Sequence, residues 1–418
     1  MKGSWTHLLV NVLFLLVCTL TIIIHIRTII AYRSVGSDFK QDYMAAHALR
    51  IGKSIYLADS SGRRLTPSVQ TSQHTIVLNN HPPAYTILLA PLSYLKYENA
   101  YFVLGVASLT ALIFCLLIVT SVFDLPSNWK WLFVVVTMVH PASYWCFATG
   151  NLSFILSAII VGAWYNLRNG RDVVGGGLLA VAASLKLFPA VMAGVLIVTN
   201  RFRAFTSFIV SFITIIAGTC LFVHIEDWIA YATQVAPRTA RTYVSHGFNL
   251  SIAGAVHRIF GDVNPYSHWL GRLIINVELA TIITLLLCGI LVFILTACLL
   301  RMAPENRSDD MIFSIFLLTM LLISPLTWMH MFLVLIIPFG MLLNNYKETN
   351  NSKYLHIIII SLFLISLPEK IVACLLMNIL NTSVLPWYTN LPLLMPFWGL
   401  LYLLYIFLRE AVSVENIM

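Results

Sequence analysis

Apolar runs of bilayer length follow one another from Leu8 almost to the C-terminus, and nothing else limits the possible folds of this chain so severely. A helix crossing the hydrocarbon core needs about 20 predominantly apolar residues. In that solvent only helices and closed barrels satisfy every backbone group. Of 418 residues, 59% are hydrophobic and 10% are Asp, Glu, Lys or Arg, against roughly 45–50% and about 25% in soluble domains. The expected class is an all-α polytopic membrane protein forming a single integral membrane domain over residues 1–418. The first run, Leu8 to Ala31, is too long for a signal-peptide core and lacks a small-residue cleavage site, so it reads as a retained span. All seven cysteines (18, 115, 146, 220, 288, 298 and 374) fall in apolar runs, where a cysteine is ordinarily a small buried hydrophobe.

The placement of Lys and Arg orients the spans, because cytoplasmic loops collect them. Lys2 puts the N-terminus inside and sends the polar stretch 32–83 outside as a first large extracytoplasmic loop. Asn166–Arg171, Arg201–Arg203, Arg301–Arg307 and Tyr346–Lys353 are short and charged and read as cytoplasmic connections. That layout requires Pro83–Leu95 to dip in and return, since as a helix it reaches only about twenty ångströms at 1.5 Å per residue. Val173–Thr199 and Met311–Asn344 carry polar or proline breaks, Lys186-Leu187-Phe188-Pro189 and Ser324-Pro325, and read as broken helices, which are tolerated where the freed backbone lines a cavity. Trp131–Phe147 and Ile357–Leu376 are expected as ordinary spans. The total is about twelve transmembrane helices, with a second large extracytoplasmic loop at 225–272. Roughly ten Lys and Arg lie in the two outside loops, an excess that suits a vestibule for an anion. The net charge of +8 fits loops meeting anionic headgroups as well as it fits an anionic lipid substrate. Tyr85, Trp145, Trp164, Trp228, Trp269, Trp387 and Trp398 lie near inferred span ends, where aromatic belts are the ordinary explanation.

The first loop holds Asp38-Phe39-Lys40-Gln41-Asp42-Tyr43, reading as a helix from Asp38 onward. A carboxylate at a helix start caps free N–H groups, which is one reading of Asp38. Asp42, one turn on, shares its face. An inverting sugar transfer needs one carboxylate to take the acceptor hydroxyl's proton. Loss of a lipid phosphate needs cations rather than an acid. Asp38 as base with Arg or Lys on the phosphate makes a minimal site. Lys186 is a cation within an apolar segment, hence a candidate for the donor phosphate, with snorkelling to an interface as the alternative. Arg258 offers a bidentate fork. His330 and Trp328 follow the Ser324-Pro325 break, where the histidine could hydrogen-bond sugar or phosphate and the indole could stack on a sugar. Arg238 and Arg241 could equally meet lipid headgroups. A lone Asp38–Asp42 pair is a poor metal site, so neither metal nor other cofactor is expected, and no nucleic-acid partner is.

With Asp38-Phe39, Tyr43, Ala45, Ala46, Gly52 and Tyr56 come, in order, Pro82-Pro83, Gly150-Asn151-Leu152-Ser153, Gly177 through Lys186-Leu187-Phe188-Pro189, Asn249-Leu250-Ser251 with Arg258, and Ser324-Pro325-Leu326-Thr327-Trp328-Met329-His330. The ordered set resembles glycosyltransferase family 87, over about Asp38 to Pro338. The family often has Gln where this chain has Asn151 and Leu250. The resemblance implies a GT-C fold and a transferase taking a sugar, most commonly mannose, from a polyprenyl-phosphate carrier. It implies Asp38 as catalytic base, with Asp42, Tyr43, Lys186, Asn249, Arg258, Trp328 and His330 as substrate contacts. The expected partners are a lipid-linked sugar donor, a glycolipid or glycan acceptor and the bilayer. The expected location is a bacterial inner or plasma membrane, with the active site facing the periplasm or exterior. A transporter or lipid flippase would also use broken helices and a buried lysine, but should show two matched halves. A polysaccharide polymerase or ligase with lipid-pyrophosphate donors would rely on arginines and not need Asp38.

Overall fold

The computed structural model describes residues 2–32, 37–58, 64–65, 79–302 and 308–412. Gly36, residues 59–63 and 66–78 of the first large loop, residues 303–307 of the Arg301–Arg307 connection and the side chain of Lys2 lie outside the described residues. Among the described residues the fold is helical, and one short antiparallel pair, Leu57–Ala58 with Arg64–Leu65, is the only sheet. The chain divides into two compact units, Met1–Ala190 with Phe202–Arg238, and Val191–Arg201 with Thr239–Met418.

The first unit comprises α1 (Lys2–Tyr32), α2 (Ser37–Arg50), α3 (Pro83–Leu89), α4 (Tyr97–Val122), α5 (Ser127–Val139), α6 (Pro141–Thr149), α7 (Ser153–Arg168) and α8 (Asp172–Leu185), followed by Phe202–Thr219 and Ile225–Ala230. Small residues let these backbones meet where lipid supplies no hydrophobic drive between helices. A Cβ on Gly176 of α8 would lie 2.0 Å from the Ala204 carbonyl oxygen, and one on Gly105 of α4 would lie 2.8 Å from Ile29 of α1. Leucine at either position would push the helices apart. Over Pro83–Leu95, neither α3 nor the 3-10 turn Ala90–Tyr94 is long enough by itself to cross a membrane.

The expected breaks are present. Helix α8 stops at Leu185, Lys186 is extended (φ −144°, ψ 132°), and the chain continues as a 3-10 turn, Phe188–Met192, and a short helix, Ala193–Val198. In the second unit Asp309–Ile323 stops at Ser324, and Met329–Leu335 is 3-10 before Ile336–Thr349. Two segments expected as simple spans are bent instead. α5 and α6 meet at 47°, and Ser352–Ile365 meets Glu369–Leu380 at 66°. The cause is proline in each case, Pro141 and Pro368, which cannot donate to the preceding turn. At the first bend His140 Nδ1 takes up a stranded donor, the Ala142 N–H at 3.0 Å.

Among the described residues six helices are long and apolar enough to cross a membrane, or up to eight if each bent pair is one span. The reading of about twelve also counts the shorter apolar helices Ser153–Arg168, Asp172–Leu185 and Phe188–Val198. Helix Val277–Arg301 is 11% buried, and it leaves Leu285 and Phe293 largely exposed. So much contiguous apolar surface is untenable in water and is suited to acyl chains, so the chain is a multi-pass membrane protein.

Candidate active site

Helix α2 opens with Asp38 in its first turn, where the macrodipole favours a carboxylate. The structure gives that carboxylate a long-range partner as well: Asn151 Nδ2 donates to Asp38 Oδ2 at 3.0 Å. The other end of the same amide, Asn151 Oδ1, accepts from Lys186 Nζ at 3.3 Å, from the Ser153 N–H at 3.0 Å and from Ser153 Oγ at 2.6 Å. One amide thus holds a carboxylate at one end and an ammonium at the other.

Local sequence explains how Asn151 arrives there. Helix α6 ends in Gly150 at φ 71°, a left-handed cap that glycine adopts freely. A Cβ there would lie 2.7 Å from Phe39 Cβ and 2.7 Å from Tyr101 Cε2. The bare glycine therefore both turns the chain and lets α2 approach. Phe39 is buried among Tyr43, Tyr97 and Tyr101, with ring centroids 5.9, 5.5 and 5.6 Å away. Tyr101 donates to the Phe147 carbonyl at 2.6 Å, fixing the end of α6. Lys186, at the break after α8, is 8% exposed and interacts electrostatically with both Asp38 and Asp42. An intramembrane cation is tolerated on such terms.

Asp42 is 1% exposed, and both its oxygens are engaged. His81 Nδ1 lies 2.8 Å from Oδ1, and Tyr85 Oη donates to Oδ2 at 2.8 Å. The two rings stack at 3.9 Å and 10°. The Asn79 side chain accepts from the His81 N–H at 3.0 Å, and Tyr56 Oη donates to the His81 carbonyl. Asp42 thereby anchors α2 to the segment leading into α3, one turn from Asp38. Tyr43 donates to the Leu95 carbonyl at 2.7 Å. Burial raises the Asp38 carboxyl above the ordinary aspartate range; Asn151 opposes this, Asp42 adds to it, and Lys186 and His81 pull it back down. A carboxylate poised upward in this way is better matched to taking a proton near neutral pH.

The second unit holds Asn249, Arg258, Trp328 and His330. Asn249 repeats the Asn-Leu-Ser turn of Asn151: its Oδ1 accepts from the Ser251 N–H at 3.3 Å, Ser251 Oγ at 3.0 Å and the Thr327 N–H at 3.0 Å. Its Nδ2 donates to the Val244 carbonyl at 3.0 Å and the Pro325 carbonyl at 2.9 Å. Its amide is committed to clamping the Ser324-Pro325 break, and the Leu250 N–H bonds the Thr327 carbonyl at 2.7 Å beside it. Trp328 packs edge-on to His246 at 5.1 Å and to Tyr243 at 6.2 Å. Burial, helped by Arg258, pushes His246 down to about 4, so it stays neutral. Arg258 is fully buried in Ile252–Phe260 and donates through Nη2 to the Asn249 carbonyl at 3.0 Å. His330 is buried at the start of the 3-10 turn.

Sequence reasoning named Asp38 and Lys186 but missed the amide that joins them. It also missed His81 as partner of Asp42. Tyr85, Trp164 and Trp228, read as belt aromatics, are buried instead, and Trp228 donates to Thr219 Oγ1 at 2.9 Å. Among the described residues no group of three or more His, Cys, Asp or Glu could hold a metal ion.

Residues 80–325 match the model of glycosyltransferase family 87. No curated protein matches the chain. The matched stretch covers more than half of the 418 residues and includes His81, Asn151, Lys186, Asn249 and Arg258; Asp38 lies on its N-terminal side. A multi-pass helical membrane protein with this match is a member of glycosyltransferase family 87.

Proposed function

We propose that this glycosyltransferase is inverting and moves a sugar, mannose or another hexose or pentose, from a polyprenyl monophosphate to a glycolipid or surface-polysaccharide acceptor. The arrangement is a GT-C one with about twelve crossings, and the reaction takes place at the extracytoplasmic face. Asp38 is the general base. Its carboxylate takes the proton of the acceptor hydroxyl as the oxygen bonds to the anomeric carbon, and the bond from that carbon to the phosphate oxygen breaks with its electron pair leaving on the phosphate. Lys186 stabilises that charge, which is worth most in a water-poor site. Asp42 and Asn151 act on Asp38 as positioning residues, Asp42 through α2 and Asn151 by direct hydrogen bond.

The observation that carries this reading is the bridge itself: one amide holds the base candidate at its nitrogen and the cation candidate at its oxygen. The test is to incubate purified protein in lipid with a panel of polyprenyl-phosphate sugars and an acceptor-lipid extract, and to follow free polyprenyl phosphate by mass spectrometry. Release from one donor, dependent on the extract, is the expected outcome. Release only from pyrophosphate-linked donors would overturn the assignment.

A further inference from the structure

Among the buried polar groups of the second unit left with unused hydrogen-bonding atoms are a guanidinium, a carboxyl and an amide. Arg258 Nε and Nη1, Glu369 Oε1 and Asn390 Oδ1 are each shielded from solvent and have no hydrogen-bond partner among the described residues. Buried polar atoms are nearly always satisfied, and an exception points to a water, ion or ligand. Leaving a charged group so placed costs more than leaving a neutral one.

The three groups lie on helices that pack together. Glu369 opens Glu369–Leu380, and Ala373, one turn along the same face, packs in a cluster with Leu270, Leu385 and Leu393. Asn390 opens Asn390–Leu393, one turn before that same Leu393, and its Nδ2 donates to the Trp387 carbonyl at 2.8 Å, leaving Oδ1 turned to other use. Arg258 interacts electrostatically with Glu369, yet Nη2 is spent on the Asn249 carbonyl and the remaining donors do not reach the carboxylate. Unused guanidinium donors, a carboxylate oxygen and an amide oxygen are thus left on neighbouring helices.

We infer that Arg258, Glu369 and Asn390 form a binding site for neutral O–H groups, which accept from the guanidinium and donate to the two oxygens. A phosphate would meet the arginine but be repelled by both oxygens. Two hydroxyls satisfy all three, each accepting from the guanidinium and donating to one oxygen, and neighbouring hydroxyls of a sugar or a pair of ordered waters supply that chemistry. Glu369 and Asn390 lie outside the stretch matched to the family model, and Arg258 lies within it. The site does not depend on the roles given to Asp38 and Lys186.

The test is a high-resolution cryo-electron-microscopy map of the full chain in lipid nanodiscs, alone and with methyl α-D-mannopyranoside. Density bridging Arg258 to Glu369 and Asn390 is expected in both maps. Discrete peaks unchanged by the probe identify water as the source, and a ring-shaped density replacing them identifies sugar hydroxyls. Glu369→Gln, which keeps an accepting oxygen, should retain the density, and Glu369→Leu should lose it. A direct Arg258–Glu369 ion pair with nothing between, or density that survives Glu369→Leu, would overturn the inference.

Discussion

Replacing Asn151 by leucine keeps the branching at Cγ and the number of heavy atoms while removing the amide that holds Asp38 and Lys186. A hydrogen bond to a charged group is worth about 1.5–3 kcal/mol, and about 1.4 kcal/mol is a tenfold change in a proton equilibrium. Asp38 is part-exposed, so solvent screening favours the lower end of that range. The loss should therefore shift the Asp38 proton equilibrium roughly tenfold toward the neutral acid. The base works only when ionised, so activity falls as pH drops through its pKa. Burial already raises that pKa in the native protein, so the wild-type acid limb should lie above the range of an ordinary aspartate. In Asn151→Leu it should lie higher still. The assay is kcat/KM against pH, read as polyprenyl phosphate released, with thermal unfolding as a check on the fold. Ser153→Ala is the control, because it removes the 2.6 Å bond to Asn151 Oδ1 without touching the Asp38 contact, and its acid limb should stay in place. An Asn151→Leu profile superimposing on wild type would refute the bridge as the device that tunes the base.

Gly150→Ala should destabilise the protein by about 2 kcal/mol or more, since a left-handed residue gains a Cβ that overlaps Phe39 and Tyr101. A melting temperature equal to wild type in detergent would contradict the close approach of α2. Tyr85→Phe should cost about 1–3 kcal/mol by leaving Asp42 Oδ2 without its donor. Because Asp42 acts through the placement of α2, turnover should fall far less than on loss of Asp38, and an unaltered unfolding transition would show that the Tyr85 contact contributes nothing.

How much was legible in the sequence follows from the range of each interaction. The interruptions at Lys186 and Ser324-Pro325 are written locally, as a cation and a proline inside apolar runs, and both were found in place. The bends at Pro141 and Pro368 were equally local, yet the apolar runs continue through them and hydropathy alone reads one span. Helix α2 with Asp38 in its first turn was readable from dipole and spacing. Its partners were not, because Asn151 lies 113 positions away and His81 and Tyr85 lie 39 and 43 positions beyond Asp42. An aromatic at the head of a short apolar segment gives no sign of the direction it faces, so Tyr85 passed for a lipid-facing residue. Asn249 was named a substrate contact through the resemblance of Asn249-Leu250-Ser251, and its structural part was not visible there. Its amide is consumed by backbone groups from Val244, Pro325 and Thr327 that only the fold assembles.

The part assigned to Asp38 is tested most directly by single-turnover release of polyprenyl phosphate from a pre-bound donor, comparing wild type with Asp38→Asn. A positioned general base contributes roughly 10²–10⁴-fold, so the variant should be slower by that factor while binding the donor as before. Release at the wild-type rate would remove Asp38 from the chemistry and return it to the capping of α2.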